Sequence, residues 1–332
     1  MLPLVTISIP LYQCEDFLIK CLQSVERQTY ENIEVTLIND QTHDNSVQIA
    51  EDFIEKHQLN TWKIIHLEKN SGLSVVRNKG IETAQGKYLF FLDSDDVITP
   101  ECIAVLVSNA EETGAEMTVS QIECVKLESG EKSFCLGELR GSLILSDNLA
   151  VFRAFVAGDI PSSAVNKLMV TEVIKERELY FVPGLFAQDE LWTFQTCLSL
   201  ERVSIYSGEP TYTYYLHGKS VIHNRGKRNF DNWFTIGQYI DAAYKKENKK
   251  DRKILILEYL TNFKTMTLQM NWKAQKNEGL WKESYKNYKT LSGLSLKNYF
   301  SGDFSIPVKK SSFYTLLPVD LGFKLFKWRY NR

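Results

Sequence analysis

A short apolar run that ends abruptly in carboxylates is the feature that most constrains this chain. Residues 88–92 are apolar and rich in aromatics, which is typical of a buried strand in a parallel sheet, and Asp93, Asp95 and Asp96 follow directly. Like charges packed this closely repel one another unless a cation compensates them. Divalent cations bind carboxylates together with nucleotide phosphates. The stretch therefore predicts a metal and diphosphate site at the carboxyl edge of an α/β sheet, whereas the alternative is an acidic loop that caps the next helix.

The first 110 residues alternate between strand patterns and helix patterns. Strands are predicted at residues 4–9, 33–38 and 62–67, with Pro10 ending the first of them. Amphipathic helices are predicted between the strands, and Gly72 is expected to begin one that runs to about residue 84. This alternation predicts a doubly wound, mostly parallel sheet with right-handed crossovers.

The predicted topology brings several chain segments to one edge of the sheet. Strands one, two and four end at residues 10–12, at Asp40 and at residues 93–96. Ligands of open α/β sheets bind at the carboxyl ends of the strands. We therefore expect these three segments to surround one ligand.

The pattern weakens beyond about residue 116. A hairpin is predicted at residues 116–137 and two short strands at 202–216, and an acidic pair, Asp189 and Glu190, opens an apolar helix between them. Two or three helices are predicted over residues 230–292. The predicted organisation is a catalytic domain over residues 1–225, with halves 1–110 and 111–225, followed by a helical basic region over 226–332.

The composition is that of an ordinary globular protein, with 44% hydrophobic and 24% charged residues among 332. The sequence contains no run of about 18 apolar residues, so no membrane-spanning helix is predicted. The first residues lead directly into a strand and lack the pattern of a signal peptide. The six cysteines show no CxxC spacing, which favours reduced thiols. A cytoplasmic location is therefore expected.

The net charge of −2 hides a strong asymmetry. Residues 244–332 contain 19 Lys and Arg against 7 Asp and Glu, so this region is predicted to face something anionic. Residues 313–332 interleave apolar side chains with basic ones, which predicts peripheral contact with an anionic membrane. The alternative, favoured by Pro307 and Pro318, is packing onto the catalytic domain or a second subunit.

Four segments, in their order and spacing, resemble the inverting family 2 glycosyltransferases with the GT-A fold. Residues 7–12 are similar to the opening strand and its P-x-Y turn, and residues 28–35 with Asn39 and Asp40 are similar to the second strand and its acidic end. Residues 70–81 match the N-x-G-x-x-x-x-R-N-x-G helix, and residues 91–96 match the D-x-D strand. The resemblance covers residues 4–108 and continues loosely to about residue 225.

The resemblance implies a nucleotide-sugar donor, usually linked to UDP, and a Mg²⁺ or Mn²⁺ ion. The implied donor-binding residues are Pro10, Tyr12, Asp40, Asn70, Gly72, Arg77, Asp93, Ser94 and Asp95. Asp40 would hold the uracil or the ribose, unless it only caps a turn or a helix. Asp93 would face the ribose and the metal, and Asp95 would ligate the metal. Two roles are left open for Arg77: it contacts the diphosphate, or it supports (buttresses) the acidic cluster by pairing with its carboxylates.

Transfer with inversion also needs a group that takes the proton of the attacking hydroxyl. The segment Gln188-Asp189 resembles the family's E-D pair with Gln in place of Glu, which implies Asp189 as the base. Glu190 is the rival candidate for the base. The alternative for both residues is that their charges only complement the helix dipole.

Asp40 is followed by Gln41 and Thr42 where the family usually has Gly-Ser, which predicts a less tight turn.

Two histidines and one short segment complete the candidates. His217 or His223 can supply a third metal ligand, although surface histidines are the commoner alternative. Asn166-Lys167-Leu168 resembles the family's K-L segment near the acceptor site.

The predicted activity is metal-dependent transfer of a hexosyl or N-acetylhexosaminyl group to an acceptor hydroxyl in bacterial surface polysaccharide or glycoconjugate assembly. The acceptor is expected to be a glycan or a lipid-linked glycan, no nucleic acid is expected, and a homo-oligomer is left open. One alternative is a catalytically silent subunit that binds a nucleotide sugar or a partner enzyme. A nucleotidyltransferase would need a glycine-rich loop after the first strand, and residues 10–13 are not one.

Overall fold

The computed structural model describes residues 1–134, 143–217 and 227–330. The chain divides into two compact units, Met1–His217 and Gly218–Arg332. The boundary predicted at residue 225 lies outside the described residues.

The described residues form the following strands and helices. The strands are β1 (Val5–Leu11), β2 (Ile33–Asn39), β3 (Trp62–His66), β4 (Tyr88–Phe91), β5 (Val97–Ile98), β6 (Met117–Val119), β7 (Ile122–Lys126), β8 (Lys132–Phe134), β9 (Leu143–Leu145), β10 (Lys167–Val170), β11 (Val203–Ile205) and β12 (Tyr212–Leu216). The helices are α1 (Leu18–Glu26), α2 (Ser46–His57), α3 (Leu73–Thr83), α4 (Cys102–Thr113), α5 (Asn148–Ala157), α6 (Thr171–Glu176), α7 (Gln188–Ser199), α8 (Lys227–Lys246), α9 (Lys250–Gln275), α10 (Glu278–Lys289), α11 (Leu296–Phe300), α12 (Ile306–Leu316) and α13 (Val319–Tyr330).

The first unit is built on an eight-stranded sheet in the order β3-β2-β1-β4-β10-β6-β11-β9. The four strands β3, β2, β1 and β4 are parallel. Strand β10 runs antiparallel to both of its neighbours, β4 and β6. The predicted mostly parallel α/β sheet is confirmed, and the carboxyl ends of β2, β1 and β4 lie side by side as expected.

The first strand does not stop at Pro10, contrary to the prediction, but continues to Leu11. The backbone of Ser8 bonds towards β4, where the amide of Leu92 donates to its carbonyl at 3.1 Å, whereas Leu11 bonds towards β2 through the amide of Asp40. Because alternate residues of a strand face alternate neighbours, Pro10 faces β4. The pairing with β4 already ends at Ser8. Because no strand pairs with β1 on that side at Pro10, the missing amide hydrogen of proline costs the sheet no hydrogen bond.

Helix α3 lies close against the sheet because of a glycine. A Cβ atom on Gly80 would lie 2.2 Å from the Oγ atom of Ser8 on β1. Gly72 precedes the helix with a φ of +83°, a conformation that glycine adopts without strain. The predicted span of this helix is confirmed.

A second, smaller sheet has the order β5-β12-β7-β8. The predicted hairpin over residues 116–137 is only partly right, because β7 and β8 form an antiparallel pair while β6 joins the main sheet. The part of that prediction at residues 135–137 lies outside the described residues. Four cysteines are free and buried, but Cys124 is disulfide-bonded, so the prediction of reduced thiols is wrong for that residue. Cys135 lies outside the described residues.

The second unit is helical over its described residues, as predicted. Helices α8, α9 and α10 pack around Trp233, Phe263 and Tyr288. Helix α13 packs through Phe323 and Phe326, whose rings lie 5.2 and 4.8 Å from that of Trp281. None of the helices in the described ranges is long and apolar enough to cross a membrane.

Candidate active site

Arg77 joins the two acidic clusters that the sequence singled out. Its Nη2 atom donates to Oδ1 of Asp93 at 2.9 Å, and its Nη1 atom donates to Oδ1 of Asp189. The guanidinium side chain is only 2% exposed, whereas about a quarter of each carboxylate side chain is exposed. Burial alone would lower the pKa of Arg77, but the charges of Asp189 and Asp93 outweigh it and raise the pKa. Arg77 is therefore a permanent positive charge between two carboxylates, as the buttress reading predicted.

An aromatic layer fixes these three side chains. The ring of Phe181 stacks on that of Trp192 at 4.6 Å, and Phe91, the last residue of β4, meets the same Trp192 ring edge-on at 6.0 Å. The guanidinium carbon of Arg77 lies 5.4 Å from the centre of the Phe181 ring. Trp192 lies one helical turn after Asp189 on α7 and donates its indole N–H to the carbonyl of Leu179 at 2.9 Å. Packing of Trp192 therefore sets where Asp189 stands relative to Asp93.

A loop before β10 supplies the second contact of Asp189. The amide of Ala164 donates to Oδ2 of Asp189 at 3.2 Å. The buried ammonium of Lys167 holds this loop by donating to the carbonyls of Pro161 at 2.9 Å and Ser163 at 2.6 Å. Burial lowers the pKa of Lys167 to about 7. The K-L segment predicted near the acceptor site thus contains a lysine, 1% exposed, that orders the loop touching Asp189.

Asp95 and Asp96 have different surroundings. Asp95 is 34% exposed at its side chain, and its Oδ2 atom lies 3.0 Å from Nε2 of His217. Asp96 is fully buried, accepts from the hydroxyl of Tyr212 at 2.6 Å and accepts from the amide of Tyr215 at 3.0 Å. Burial raises the pKa of Asp96 well above its ordinary value, and the charges of Asp95 and Asp93 add to this effect. Asp96 therefore anchors β12 and does not cap the next helix.

His217 follows β12 and is not the surface histidine of the alternative reading. Its side chain is 11% exposed and stacks on the ring of Phe17 at 4.4 Å. Because Asp96 anchors Tyr212 and Tyr215 on the same strand, it also positions the imidazole beside Asp95. The other histidine candidate, His223, lies outside the described residues.

The Asp95–His217 pair fits a divalent cation that also binds a substrate. A carboxylate oxygen and an imidazole nitrogen face each other at the sheet edge, and Nδ1 of His217 is buried without a partner among the described residues. No group of three or more His, Cys, Asp or Glu side chains within the described ranges is arranged to hold a metal ion. Two protein ligands suffice where diphosphate oxygens complete the coordination. Because Arg77 occupies Oδ1 of Asp93, the assignment of Asp93 as a ligand stays a prediction.

Asp40 is buried and its two carboxylate oxygens are engaged by backbone. Oδ1 accepts from the amide of Ser71 at 2.7 Å and Oδ2 accepts from the amide of Gly72 at 2.8 Å. Asn70 donates from its side chain to the carbonyl of Asp40 at 3.0 Å. The carboxylate therefore caps the loop that begins α3, which was the alternative reading. Each carboxylate oxygen has a second lone pair, so contact with the base or the ribose stays a prediction.

The remaining predicted residues lie around the same sheet edge. Pro10 is the last residue but one of β1, Tyr12 follows the strand with 43% of its surface exposed, and Ser94 is buried inside the D-x-D turn. Gln41 adopts a φ of +55°, so the turn after Asp40 is left-handed at a residue that usually avoids this conformation. Their contacts with a donor stay predictions.

Glu190 is the rival candidate for the base, and the choice between it and Asp189 stays a prediction. Glu190 is 9% exposed in the first turn of α7, whereas 26% of the Asp189 side chain is exposed. Sequence reasoning missed Tyr212, Ala164 and Phe17. Tyr212 and Ala164 contact Asp96 and Asp189, and Phe17 contacts His217, in each case only through tertiary structure. No local pattern marks such residues.

The fold and this site define the GT-A class of glycosyltransferase folds. Residues 1–349 of Staphylococcus aureus TarS, solved with UDP-GlcNAc, superpose on this chain with a TM-score of 0.74 at 19% identity, covering 97% of this chain and 87% of that one.

Comparison with known sequences gives the family. The sequence model described as glycosyl transferase family 2 matches residues 6–156. YibD of Escherichia coli K12, called an uncharacterized glycosyltransferase, is 30% identical over 230 residues, which are 68% of this chain and 66% of that protein. EpsH of Bacillus subtilis 168 is 29% identical over 252 residues, which are 75% of this chain and 71% of that protein. The chain belongs to glycosyltransferase family 2, as the sequence motifs predicted.

Proposed function

We propose that this chain transfers a sugar from a UDP-sugar to an acceptor hydroxyl with inversion at the anomeric carbon. The observation that carries the proposal is the bridge from Asp93 through Arg77 to Asp189, beside an exposed Asp95 that faces His217. This arrangement offers a base and a cation site at one sheet edge. The bound UDP-GlcNAc of the TarS structure supports a UDP-sugar as donor.

Asp189 is the proposed general base. Arg77 and the amide of Ala164 each use one of its oxygens. A carboxylate has about four lone-pair sites, so others are left to accept the proton of the acceptor hydroxyl. That oxygen then attacks the anomeric carbon while the bond to the diphosphate oxygen breaks, which inverts the configuration in a single displacement.

Asp95 and His217 are the proposed metal ligands, with Mg²⁺ or Mn²⁺ as the ion. Such an ion, when bound, stabilises negative charge on a departing diphosphate. Arg77 offsets the repulsion between Asp93 and Asp189, so both carboxylates can stand near the acidic turn. The proposed acceptor is a hydroxyl of a bacterial surface glycan or lipid-linked glycan. The relative TarS is named a poly(ribitol-phosphate) beta-N-acetylglucosaminyltransferase, which supports a polymeric acceptor.

Thermal unfolding with UDP-, GDP- and dTDP-sugars, with Mn²⁺ or with a chelator, tests the donor and the metal. A saturating UDP-sugar with Mn²⁺ is expected to raise stability by about 3 kcal/mol at a hundredfold excess over Kd, and the chelator is expected to remove this gain. Stabilisation by GDP-sugars alone would contradict the UDP assignment. UDP-sugar binding without any turnover would point to the silent subunit instead.

A further inference from the structure

The last three helices of the second unit expose large apolar side chains. Phe300 is 90% exposed, Ile306 and Trp328 are each 67% exposed, and Phe313 is 51% exposed. Single apolar residues on a surface are common, but a contiguous group of them marks an interaction site. These four lie within one stretch of 29 residues on α11, α12 and α13.

The exposed side chains follow the outward faces of two helices whose inward faces are packed. On α12, Val308 and Ser312 are buried, while Ile306 and Phe313 lie seven residues apart and so share the opposite face. On α13, Phe323 and Phe326 are buried against Trp281, while Leu321 and Trp328 share the outward face by the same spacing. Packing within the second unit therefore explains why the inward side chains are apolar, but it does not explain why the exposed outward side chains are apolar as well.

Basic residues flank these outward faces. The segment from residue 296 to residue 330 contains two acidic residues and six basic ones, Lys297, Lys309, Lys310, Lys324, Lys327 and Arg329. Both acids are paired within the unit: Asp303 lies 3.6 Å from Lys250, and Asp320 lies 2.6 Å from Lys282. The surface therefore presents a net positive charge next to its apolar side chains.

A depression connects the helices at this surface. It has a volume of about 350 Å³, and its walls include Ile306, Phe313 and Leu325 together with Lys309, Lys310 and Arg329. The hydroxyl of Tyr299, which also lines it, is buried without a partner among the described residues. Apolar walls with cationic side chains and a hydroxyl suit an amphiphile that has a phosphate head and a hydrocarbon tail.

We propose that the α11–α13 surface, formed by these outward apolar and basic residues, docks onto an anionic phospholipid bilayer. Apolar side chains would enter the interface while the lysines reach the phosphate heads, each basic residue strengthening binding severalfold. A second copy of this chain is a poorer occupant, because a two-fold contact would place the same positive surface against itself. Such docking is separate from the proposed transfer reaction and would hold the protein at the surface of a membrane.

Flotation of the full chain with vesicles, without donor or acceptor, tests the proposal. The chain is expected to float with vesicles of phosphatidylcholine and phosphatidylglycerol, to stay behind with phosphatidylcholine alone, and to be released by high salt. Lys310→Glu with Lys324→Glu, and separately Phe313→Ser with Trp328→Ser, are each expected to weaken flotation by about tenfold or more. All four side chains are exposed, so these changes should leave the fold intact.

A matched control makes the same change in net charge, two lysines to glutamates, on the first unit. Lys20 on α1 and Lys56 on α2 are exposed on the first unit, and Lys20→Glu with Lys56→Glu should leave flotation unchanged. Equal loss in the control would show that net charge alone attracts the chain, and would overturn the assignment of the surface. No flotation of the unchanged chain would also overturn it, as would self-association in sedimentation that the surface variants abolish.

Discussion

Asp189 on α7 is held by the guanidinium of Arg77 on α3, although 112 residues separate them in the chain. The same guanidinium holds Asp93 at the end of the D-x-D strand. One buried cation therefore sets the position of the proposed base relative to the proposed donor site. The arrangement has consequences for stability and for turnover that can be measured separately.

Replacement of Arg77 by Met should reduce the free energy of unfolding by about 2 kcal/mol, because two charge-assisted hydrogen bonds are lost. Arg77→Lys keeps the charge but cannot serve two carboxylates as a planar fork, so an intermediate loss of stability is expected together with a fall in turnover. Urea unfolding and donor turnover measure the two effects. Full turnover in Arg77→Lys would show that positioning by the fork is unimportant.

Asp189→Asn should lower the turnover rate by about a hundredfold or more, the scale of general-base catalysis, while donor affinity stays the same. Glu190→Gln, one residue along the same helix, is the matched control and should keep most of the activity. Steady-state kinetics with titration of the donor separate the two quantities. The opposite pattern, with the loss in Glu190→Gln, would move the base to that residue.

His217→Gln should weaken Mn²⁺ binding in the presence of UDP by about tenfold or more, since even residues behind the ligands have effects of that size. His43 lies exposed in the loop after Asp40, and His43→Gln is expected to have no effect on the metal. Calorimetric titration of Mn²⁺ into the UDP-saturated protein measures both variants. Equal affinities in both would remove His217 from the metal site.

Asp96→Ala should reduce the free energy of unfolding by about 2 kcal/mol, because the buried hydroxyl of Tyr212 and the amide of Tyr215 would lose their acceptor. Asp96→Asn should cost less, since the amide oxygen still accepts and the hydroxyl can turn to accept from the amide nitrogen. Chemical unfolding compares the two variants. A tolerated Asp96→Ala would show that β12 is held by its other contacts.

The sequence predicts the parallel half of the fold well, because strand and helix periods are local. It also predicts the acidic residues at the strand ends, which follow from parallel topology once the strands are placed. The predicted end of β1 at Pro10 is wrong, because a proline interrupts a strand only where a neighbouring strand needs its amide hydrogen, and β4 already stops pairing at Ser8. The partners of Asp96 lie on β12, and Phe17, which stacks on His217, directly precedes α1. No local pattern reports a contact between residues more than a hundred positions apart.

Lys167 should give the stability an unusual dependence on pH. Burial lowers its folded pKa to about 7, whereas an unfolded lysine titrates near 10.5. Between these values the unfolded chain binds more protons, so this group makes stability rise with pH, by at most about 1.4 kcal/mol per pH unit. The stability difference between the unchanged chain and Lys167→Met should therefore change across this window in urea unfolding. A constant difference would mean that the buried amine keeps its charge.

Release of UDP from a UDP-sugar, measured with and without Mn²⁺, tests whether Asp95 and Asp189 serve a metal-dependent transfer. We expect turnover to require the metal. Asp95→Ala should abolish both turnover and metal-dependent UDP binding, and Asp189→Asn should nearly abolish turnover while UDP still binds. Turnover of Asp95→Ala equal to that of the unchanged chain, with Mn²⁺ still required, would contradict this role of Asp95.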